Sequence, residues 1–260
     1  MKRIKRLVFK IAHVVFVLVP FYYLSSCSED SSNMDNTDCS TQVADGEIDI
    51  STLANKFYSN DVTVRITDES VIITTQDLPD HPSTYYPQNN TLYEAYDESG
   101  FIQNPGIIES QNIVLTLPRF PEQSGCINEP GLGPMGVAVN SVVFFNQQAA
   151  PGDDIFQEIQ TFDQYDGHPA GSIYHYHIEP SWLSQVLGSD EFFGFLLDGF
   201  PVYGPMENGQ EVTNDDLDDY HGHVSPTADF PNGIYHYHIT AEYPWINGSG
   251  YYGIPGTRTQ

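Results

Sequence analysis

Apolar and polar residues alternate along much of this chain, which is the pattern of strands that bury one face. Residues 62–66 and 71–73 alternate on either side of a short polar break, and residues 113–117 alternate until prolines stop the pattern. The first two segments predict an antiparallel hairpin, and the third predicts a further strand. Helical periods are few and short, at residues 153–160, 181–187 with Ser181 as N-cap, and 214–219. The chain is therefore predicted to be mainly β, a sandwich or barrel-like domain with few short helices.

The most distinctive alternation is the string Ile-Tyr-His-Tyr-His-Ile, which occurs at residues 173–178 and again, unchanged, at 234–239. Tyrosine and isoleucine favour strands, and side chains on a strand point alternately to opposite faces. Each string should therefore present its two histidines on one face and its two tyrosines on the other. The four histidines are His175, His177, His236 and His238.

A longer duplication contains the two strings. Residues 136–146 and 194–204 share a glycine, three apolar residues, a two-residue Asn-Ser or Asp-Gly break and a second apolar run, which predicts a β-hairpin in each copy. Each copy then carries a Gly-His pair, interpreted as a turn, that adds His168 or His223. Residues 136–178 and 194–239 are thus predicted to be two copies of one unit, related by a pseudo-two-fold axis.

Three histidines in each copy favour a transition-metal site. Imidazoles two residues apart on one strand, with a third from elsewhere, form the ligand set of an open zinc centre, and copper fits nearly as well. The absence of a neighbouring cysteine, and the distance of Met135 and Met206 along the chain, argue against a blue-copper centre. The expected ligands are His168, His175, His177, His223, His236 and His238, with Asp163, Asp218 and Asp198 expected to hold their outer ring nitrogens. Whether the copies pool their histidines into one site or form two, and whether a reaction follows, is left open.

Two alternatives compete with this hypothesis. The matched tyrosines and histidines could form a buried, metal-free hydrogen-bond network that interlocks the two copies. The protein could also be a surface module that binds a glycan or another small ligand by stacking it on Tyr243, Trp245, Tyr251 and Tyr252. The acidic run at 214–219 is a weaker candidate for calcium, since its spacing is not that of an EF-hand loop and a capped helix start explains it.

The first 26 residues have the pattern of a secretory signal, with four cations followed by an apolar run. They end in Leu-Ser-Ser before Cys27, which resembles a bacterial lipoprotein processing site, and an acidic Ser-Glu-Asp sequence follows. We therefore expect Cys27 to be lipidated, residues 27–46 to be a flexible tether, and residues 47–260 to be the domain, anchored in the outer membrane or at the cell surface. A transmembrane anchor is the alternative, because the apolar run is close to the length that spans a bilayer.

The charge of the chain excludes one class of partner. The whole sequence has a net charge of −26, and removal of the signal would leave four cations against 35 acidic residues, a net charge of −31. Such a chain repels nucleic acids, and its acidity favours solubility in a salty medium. For an exported protein, a disulfide between Cys39 and Cys126 is plausible.

Taken together, these strings resemble the YHYH-domain family. The resemblance rests on Gly-His-Pro at 167–169, the two Tyr-His-Tyr-His strings, residues 197–205, and Tyr-Pro-Trp at 243–245, and it extends over about residues 133–253. It implies an exported protein, often from environmental bacteria, and no proven reaction. The sequence departs from the family where many members carry cysteines, because Tyr165, Tyr220 and Ser249 occupy those neighbourhoods.

Overall fold

The computed structural model describes residues 48–259, so the predicted signal, Cys27, Cys39 and the predicted tether lie outside the described residues. The strands are β1 (Val62–Ile66), β2 (Ser70–Thr75), β3 (Ile113–Pro118), β4 (Gln123–Asn128), β5 (Gly136–Ala138), β6 (Val143–Phe144), β7 (Gly167–Ala170), β8 (Ile173–Tyr176), β9 (Phe192–Leu196), β10 (Pro201–Tyr203), β11 (Met206–Glu207), β12 (Gln210–Glu211), β13 (Gly222–Ser225), β14 (Ile234–His238), β15 (Tyr251–Gly253) and β16 (Thr257–Thr259). The helices are α1 (Ile155–Glu158) and α2 (Ser181–Val186), with 3₁₀ helices at Ile50–Lys56, Ile159–Thr161 and Asn214–Asp216. Across this part of the chain, no helix has the length and apolar character needed to cross a membrane.

The hairpin predicted from the first alternating segments is confirmed. Strands β1 and β2 pair antiparallel from Val62 opposite Thr75 to Ile66 opposite Val71. The sheet continues through β3 to β16, in the order β1-β2-β3-β16. Alternate residues of β2 and β3 are buried, as the period of two predicts, and they form one wall of the core.

The larger sheet contains both copies of the duplicated unit. Its eight strands lie in the order β13-β14-β10-β9-β5-β6-β8-β7. The first copy therefore runs β5-β6-β8-β7 outward from the middle of the sheet, and the second runs β9-β10-β14-β13 outward in the opposite direction. The two copies are thus related by a pseudo-two-fold axis through the middle of this sheet, as the sequence predicts.

The pseudo-two-fold axis passes between β5 and β9, where the two copies meet. Val137 lies opposite Phe195, and these residues occupy the same position in their copies. A glycine precedes each of them, and the close pairing of the two strands requires it. A Cβ atom at Gly136 would lie 2.4 Å from the Phe195 carbonyl oxygen, and one at Gly194 would lie 2.2 Å from that of Val137.

One hydrophobic core serves the four-stranded and the eight-stranded sheets. Buried residues of β2 and β3 belong to the same apolar cluster as those of β5, β9 and β14. The prediction of a mainly β domain with few short helices is confirmed. Of the two architectures expected, the barrel is wrong for the described residues, because the eight-stranded sheet ends in two separate edge strands, β13 and β7.

Two local predictions need correction. Helix α2 begins at Ser181, but the N-cap position is Pro180, which makes no side-chain cap. The Gly-His pairs are not turns, because each begins a strand, β7 or β13, that pairs with its own Tyr-His-Tyr-His strand. Residues 171–172 join β7 to β8, and the longer segment 226–233 joins β13 to β14. Each connection closes a hairpin that places the third histidine across from the other two.

We predict that Gly136→Ala destabilises the protein by about 1–3 kcal/mol, because the added methyl group would force apart the strands at the pseudo-two-fold axis. Chemical denaturation measures this change. Gly131→Ala is the control, since its methyl group would meet nothing closer than 3.9 Å. Equal stability of the two variants would show that β5 and β9 do not need their close approach.

Candidate metal centres

Each Tyr-His-Tyr-His strand faces its own Gly-His strand in the same register. His168 lies directly opposite His175 in the β7–β8 pair. His223 lies directly opposite His236 in the β13–β14 pair. The next histidine along each string, His177 or His238, completes a group of three on the same face, as the alternation predicts.

The six predicted ligands therefore form two separate groups. The first cluster is His168, His175 and His177, and the second cluster is His223, His236 and His238. Within each cluster, ligand nitrogens lie within 4.8 Å of one another. The two clusters belong to β7–β8 and β13–β14, which lie at opposite ends of the eight-stranded sheet. The copies thus do not pool their histidines.

Backbone carbonyls fix the tautomers of the first pair of imidazoles. The Nδ1 atom of His175 lies 3.1 Å from the Ile173 oxygen, and that of His177 lies 2.5 Å from the Asn146 oxygen. A carbonyl oxygen only accepts, so each Nδ1 must carry the proton. Both Nε2 atoms are then unprotonated, and they face each other at 2.9 Å. A hydrogen bond between them would require a tautomer that turns one Nδ1 lone pair toward a carbonyl oxygen.

A hydroxyl group fixes the tautomer of His168 in the same sense. The Thr161 hydroxyl donates to the Glu158 carbonyl oxygen at 2.7 Å, so at 2.6 Å from His168 Nδ1 it accepts. The Asn104 amide nitrogen lies farther from that Nδ1, at 3.4 Å, and donates to the Pro169 oxygen at 3.1 Å. The Nε2 atom of His168 is therefore the unprotonated one. It is buried and has no hydrogen-bond partner among the described residues. All three imidazoles of the first cluster thus direct an Nε2 lone pair inward.

The second cluster repeats this arrangement. The Nδ1 atom of His236 lies 3.0 Å from the Ile234 oxygen, and that of His238 lies 2.8 Å from the Gly204 oxygen. Their Nε2 atoms face each other at 3.1 Å. The Nε2 atom of His223 is buried and lacks a hydrogen-bond partner within residues 48–259. Gly204 and Asn146 occupy matched positions after their hairpins, so the copies use matched carbonyls.

Burial keeps five of the clustered imidazoles neutral at neutral pH. It lowers the pKa of His168 to about 3 and that of His177 to about 4, and it holds the pKa of His175 well below the usual value. In the second cluster, burial lowers the pKa of His236 to about 4 and also lowers that of His238. Charged imidazolium would lose hydration in this environment, whereas neutral imidazole is the form that binds metals.

One glutamate approaches each cluster, and the sequence analysis missed both. Glu158 Oε2 lies 4.0 Å from His168 Nε2 and 3.9 Å from His177 Nε2. Glu207 Oε1 lies 3.4 Å from His223 Nε2 and 3.6 Å from His236 Nε2, and it accepts a hydrogen bond from Ser225. Burial raises the pKa of Glu158. Burial also acts to raise the pKa of Glu207, but the Ser225 hydrogen bond and the nearby imidazoles outweigh it, so the pKa of Glu207 is lowered.

The two glutamates do not occupy matched positions of the duplication. Glu158 ends α1, whereas Glu207 lies on β11, which forms a hairpin with β12 around Asn208-Gly209. Comparison of the copies could therefore not reveal them. The Asn-Gly pair is a hairpin signal in the sequence, and it could have placed Glu207 at a strand end.

The spacing of these atoms fits a transition metal. Four ligands at the 2.0–2.1 Å of zinc–nitrogen bonds lie about 3.3 Å apart at the corners of a tetrahedron. The nitrogen–nitrogen distances of 2.9 and 3.1 Å and the nitrogen–oxygen distances of 3.4–4.0 Å lie on either side of that value. Neutral imidazoles with one carboxylate are a donor set suited to zinc or copper.

The predicted role of the aspartates is wrong, because they bond the tyrosine face of the strands. Asp163 accepts from Tyr174 at 2.8 Å, and Asp218 accepts from Tyr235 at 2.9 Å. Asp198 accepts from the Tyr237 hydroxyl at 2.6 Å. Backbone carbonyls and Thr161 hold the outer ring nitrogens of the histidines instead. Alternation separates the two networks onto opposite faces.

Glycine makes this tyrosine face possible. A Cβ atom at Gly167 would lie 2.4 Å from the Tyr174 hydroxyl oxygen, and one at Gly222 would lie 2.5 Å from that of Tyr235. The glycine of each Gly-His pair thus leaves room for a tyrosine to cross its neighbouring strand and reach an aspartate. In each Gly-His pair, the histidine is a candidate ligand on one face of the sheet, and the glycine leaves room for the tyrosine on the other face.

The clusters open onto different cavities. The first cluster lies in a cavity of about 390 Å³ whose apolar wall includes Leu132, Phe145, Ala150 and Pro169. Phe145 stacks on the His175 ring at 3.8 Å. The second cluster lies beside a cavity of about 430 Å³ that is lined by Asp190, Glu191, Asp229 and Met206, among others. Met206 is thus distant from the histidines in sequence but lines the same cavity in space.

Most of the remaining candidates take structural roles or lie partly outside the described residues. Asp216 caps the 3₁₀ helix with Thr213, as the capped-helix interpretation of the acidic run predicts. Of the rings expected to stack on a sugar, Trp245 and Tyr251 are buried and Tyr252 stacks on Tyr235 at 3.4 Å, whereas Tyr243 is exposed. Cys126 is in a disulfide bond. Its predicted partner Cys39 lies outside the described residues, so that pairing stays a prediction.

The comparisons with known proteins agree with the strings that the sequence analysis singled out. A family model described as YHYH protein matches in two overlapping segments, residues 114–216 and 206–250. The comparisons with curated proteins and with solved structures returned no significant match. The matched segments include both histidine clusters and more than half of the 260 residues. This chain therefore belongs to the YHYH family.

Proposed function

We propose that this protein binds two transition-metal ions, zinc or copper, one at each histidine cluster. The observation that carries the proposal is the pair of Nε2 atoms 2.9 Å apart in the first cluster and 3.1 Å apart in the second, with both Nδ1 protons donated to carbonyl oxygens. Two lone pairs at that distance repel each other unless a cation lies between them. The third imidazole of each cluster adds an Nε2 that also lacks a partner within the described residues.

The glutamates separate this proposal from a metal-free network. A duplication repeats its histidines by descent, so the second set alone is no independent support. Glu158 and Glu207, however, come from unmatched positions and still bring a carboxylate to each cluster. A carboxylate balances part of the charge of a divalent cation, whereas beside neutral imidazole lone pairs it would be repelled.

The residues that would hold each metal follow from this geometry. His168, His175 and His177 would bind the first ion through Nε2, and His223, His236 and His238 would bind the second. The carbonyl oxygens on Nδ1 orient the rings and increase the basicity of the binding nitrogens. A bound zinc or copper ion would act as a Lewis acid wherever its cluster leaves a coordination position open.

We predict that the purified protein binds two zinc or copper ions per chain, measured by elemental analysis after loading and removal of excess metal. His168→Ala should reduce the count to one, because it removes a ligand from the first cluster only. Addition of His223→Ala should reduce it to none. His221→Asn is the matched control. This histidine has a φ of 76°, which asparagine tolerates, and its Nε2 bonds the Thr240 hydroxyl. It meets the second cluster through its backbone oxygen, which accepts from the His238 N–H, and its side chain is outside the set of ligands. An unchanged count in the double variant would contradict the proposal.

The tyrosine face should affect stability without affecting metal content. Tyr174→Phe removes a hydrogen bond to Asp163, which is only 3% exposed, and should cost about 1–3 kcal/mol of unfolding free energy. Tyr235→Phe should cost less, because Asp218 is exposed and water replaces the lost donor. Chemical denaturation and elemental analysis of both variants test this. Loss of a metal ion in either variant would show that the two faces are not independent.

We also propose that the chain is exported and anchored by a lipid on Cys27. The signal-like leader, the processing sequence before Cys27 and the acidic residues after it support the proposal. Cells expressing the full chain should incorporate labelled palmitate into it, and Cys27→Ser should abolish the label. Cys126→Ser is the control that should retain it. Labelling that survives Cys27→Ser would contradict the lipid anchor.

A further inference from the structure

The two clusters have the same histidines but different surroundings. In the second cluster Glu207 lies within 4.8 Å of all three ligand nitrogens, and Ser225 holds it there. This set supplies four ligands, which is the number that closes a tetrahedral zinc site. In the first cluster only the three histidines meet that limit, and Glu158 lies 3.9–4.0 Å from two of them. A metal in the first cluster would keep a coordination position for another molecule.

The walls around that position are mostly apolar, although Asn104, Gln148 and Glu158 also line the cavity. Phe145 covers His175 face to face, and the edge of Phe162 meets His168 at 4.7 Å between ring centres. Leu132, Ala150 and Pro169 extend the apolar wall outward. The volume of about 390 Å³ is in the range of small-molecule sites. His168 lines the same cavity, and its buried Nε2 has no hydrogen-bond partner among residues 48–259.

The cavity at the second cluster has the opposite character. Asp190, Glu191 and Asp229 line it, and only Lys56, which pairs with Asp229 at 2.7 Å and Glu191 at 3.8 Å, offsets them within the described residues. Such a wall attracts small cations, although Tyr203, Met206 and Pro231 also line the cavity. It fits the approach of a metal ion, and the fourth ligand, Glu207, leaves that ion no open coordination position for a second molecule.

We propose that the first cluster is a ligand-binding metal site for a small uncharged molecule with one lone-pair donor atom and an apolar body. The donor atom would take the open coordination position, and the body would lie against Phe145, Leu132 and Pro169. The net charge of −26 disfavours anions, and an apolar wall disfavours cations, so the class is neutral. The second cluster is a closed site that holds its metal without taking this ligand. This inference rests on the proposed metal binding.

Cobalt(II) tests the proposal, because its visible absorption changes with coordination. The protein carrying His223→Ala and His236→Ala keeps only the first cluster, and the protein carrying His168→Ala and His175→Ala keeps only the second. Each is loaded with cobalt and titrated with imidazole and with 4-phenylimidazole, which share a donor nitrogen and differ in the apolar ring. We expect the first-cluster protein to bind 4-phenylimidazole about tenfold more tightly than imidazole, since the phenyl ring is buried. The spectrum of the second-cluster protein should not change.

A matched pair of variants shows where the phenyl ring lies. Ala150 and Ala228 are both exposed residues, and each lines one of the two cavities. In the first-cluster protein, Ala150→Asp should remove the preference for 4-phenylimidazole and leave cobalt binding intact, whereas Ala228→Asp should change neither.

The outcomes separate this inference from the proposed function. If both proteins bind cobalt and respond alike, or if the two ligands bind the first cluster equally, the ligand site is wrong and metal binding stands. If neither protein binds cobalt, both proposals are wrong.

Discussion

The direction in which each imidazole donates its single proton determines what this face of the sheet can do. Five of the six clustered histidines have Nδ1 beside a carbonyl oxygen or an accepting hydroxyl. The backbone that forms the sheet therefore also sets the tautomers, and Nε2 lone pairs gather at two points. Burial adds a second constraint, because lone pairs away from water need a cation or a donor. A metal ion meets both requirements, which is why metal binding is the function that this geometry supports best.

Duplication explains how the fold obtains these sites and also why they differ. The two copies meet at β5 and β9, and their Tyr-His-Tyr-His strands lie toward opposite ends of one sheet. Symmetry repeats the glycine, tyrosine and histidine positions, so each copy has the same three imidazoles above the sheet and the same tyrosine anchors below it. The segments outside the matched positions are free to diverge. At the first cluster these segments contribute Glu158 and much of the apolar wall. At the second cluster they contribute Glu207 and the acidic wall.

Much of this structure follows from the sequence, and the limits have physical causes. Alternation and the repeated strings predict the strands, the duplication and the opposite faces of histidine and tyrosine, because a period of two is a local property. The sequence leaves the partner of each Tyr-His-Tyr-His strand open, since register depends on the hairpin that joins β7 to β8 and β13 to β14. Chemistry alone assigns the aspartates to the histidines, but Asp163, Asp198 and Asp218 lie on the tyrosine side. No sequence signature marks Glu158 or Glu207 as a ligand, because only tertiary folding brings them near the clusters; the Asn208-Gly209 hairpin signal places Glu207 at a strand end and says nothing of the histidines.

The most direct test of this account is the tautomeric state of the histidines in the metal-free protein, measured by long-range nitrogen–proton correlation in NMR at neutral pH. The account predicts protonated Nδ1 and unprotonated Nε2 for His168, His175, His177, His236 and His238, with the Nε2 signals moving on addition of zinc. Protonated Nε2 in either member of the His175–His177 or His236–His238 pair, unchanged by zinc, would show that the pairs are ordinary hydrogen bonds and would contradict the central claim.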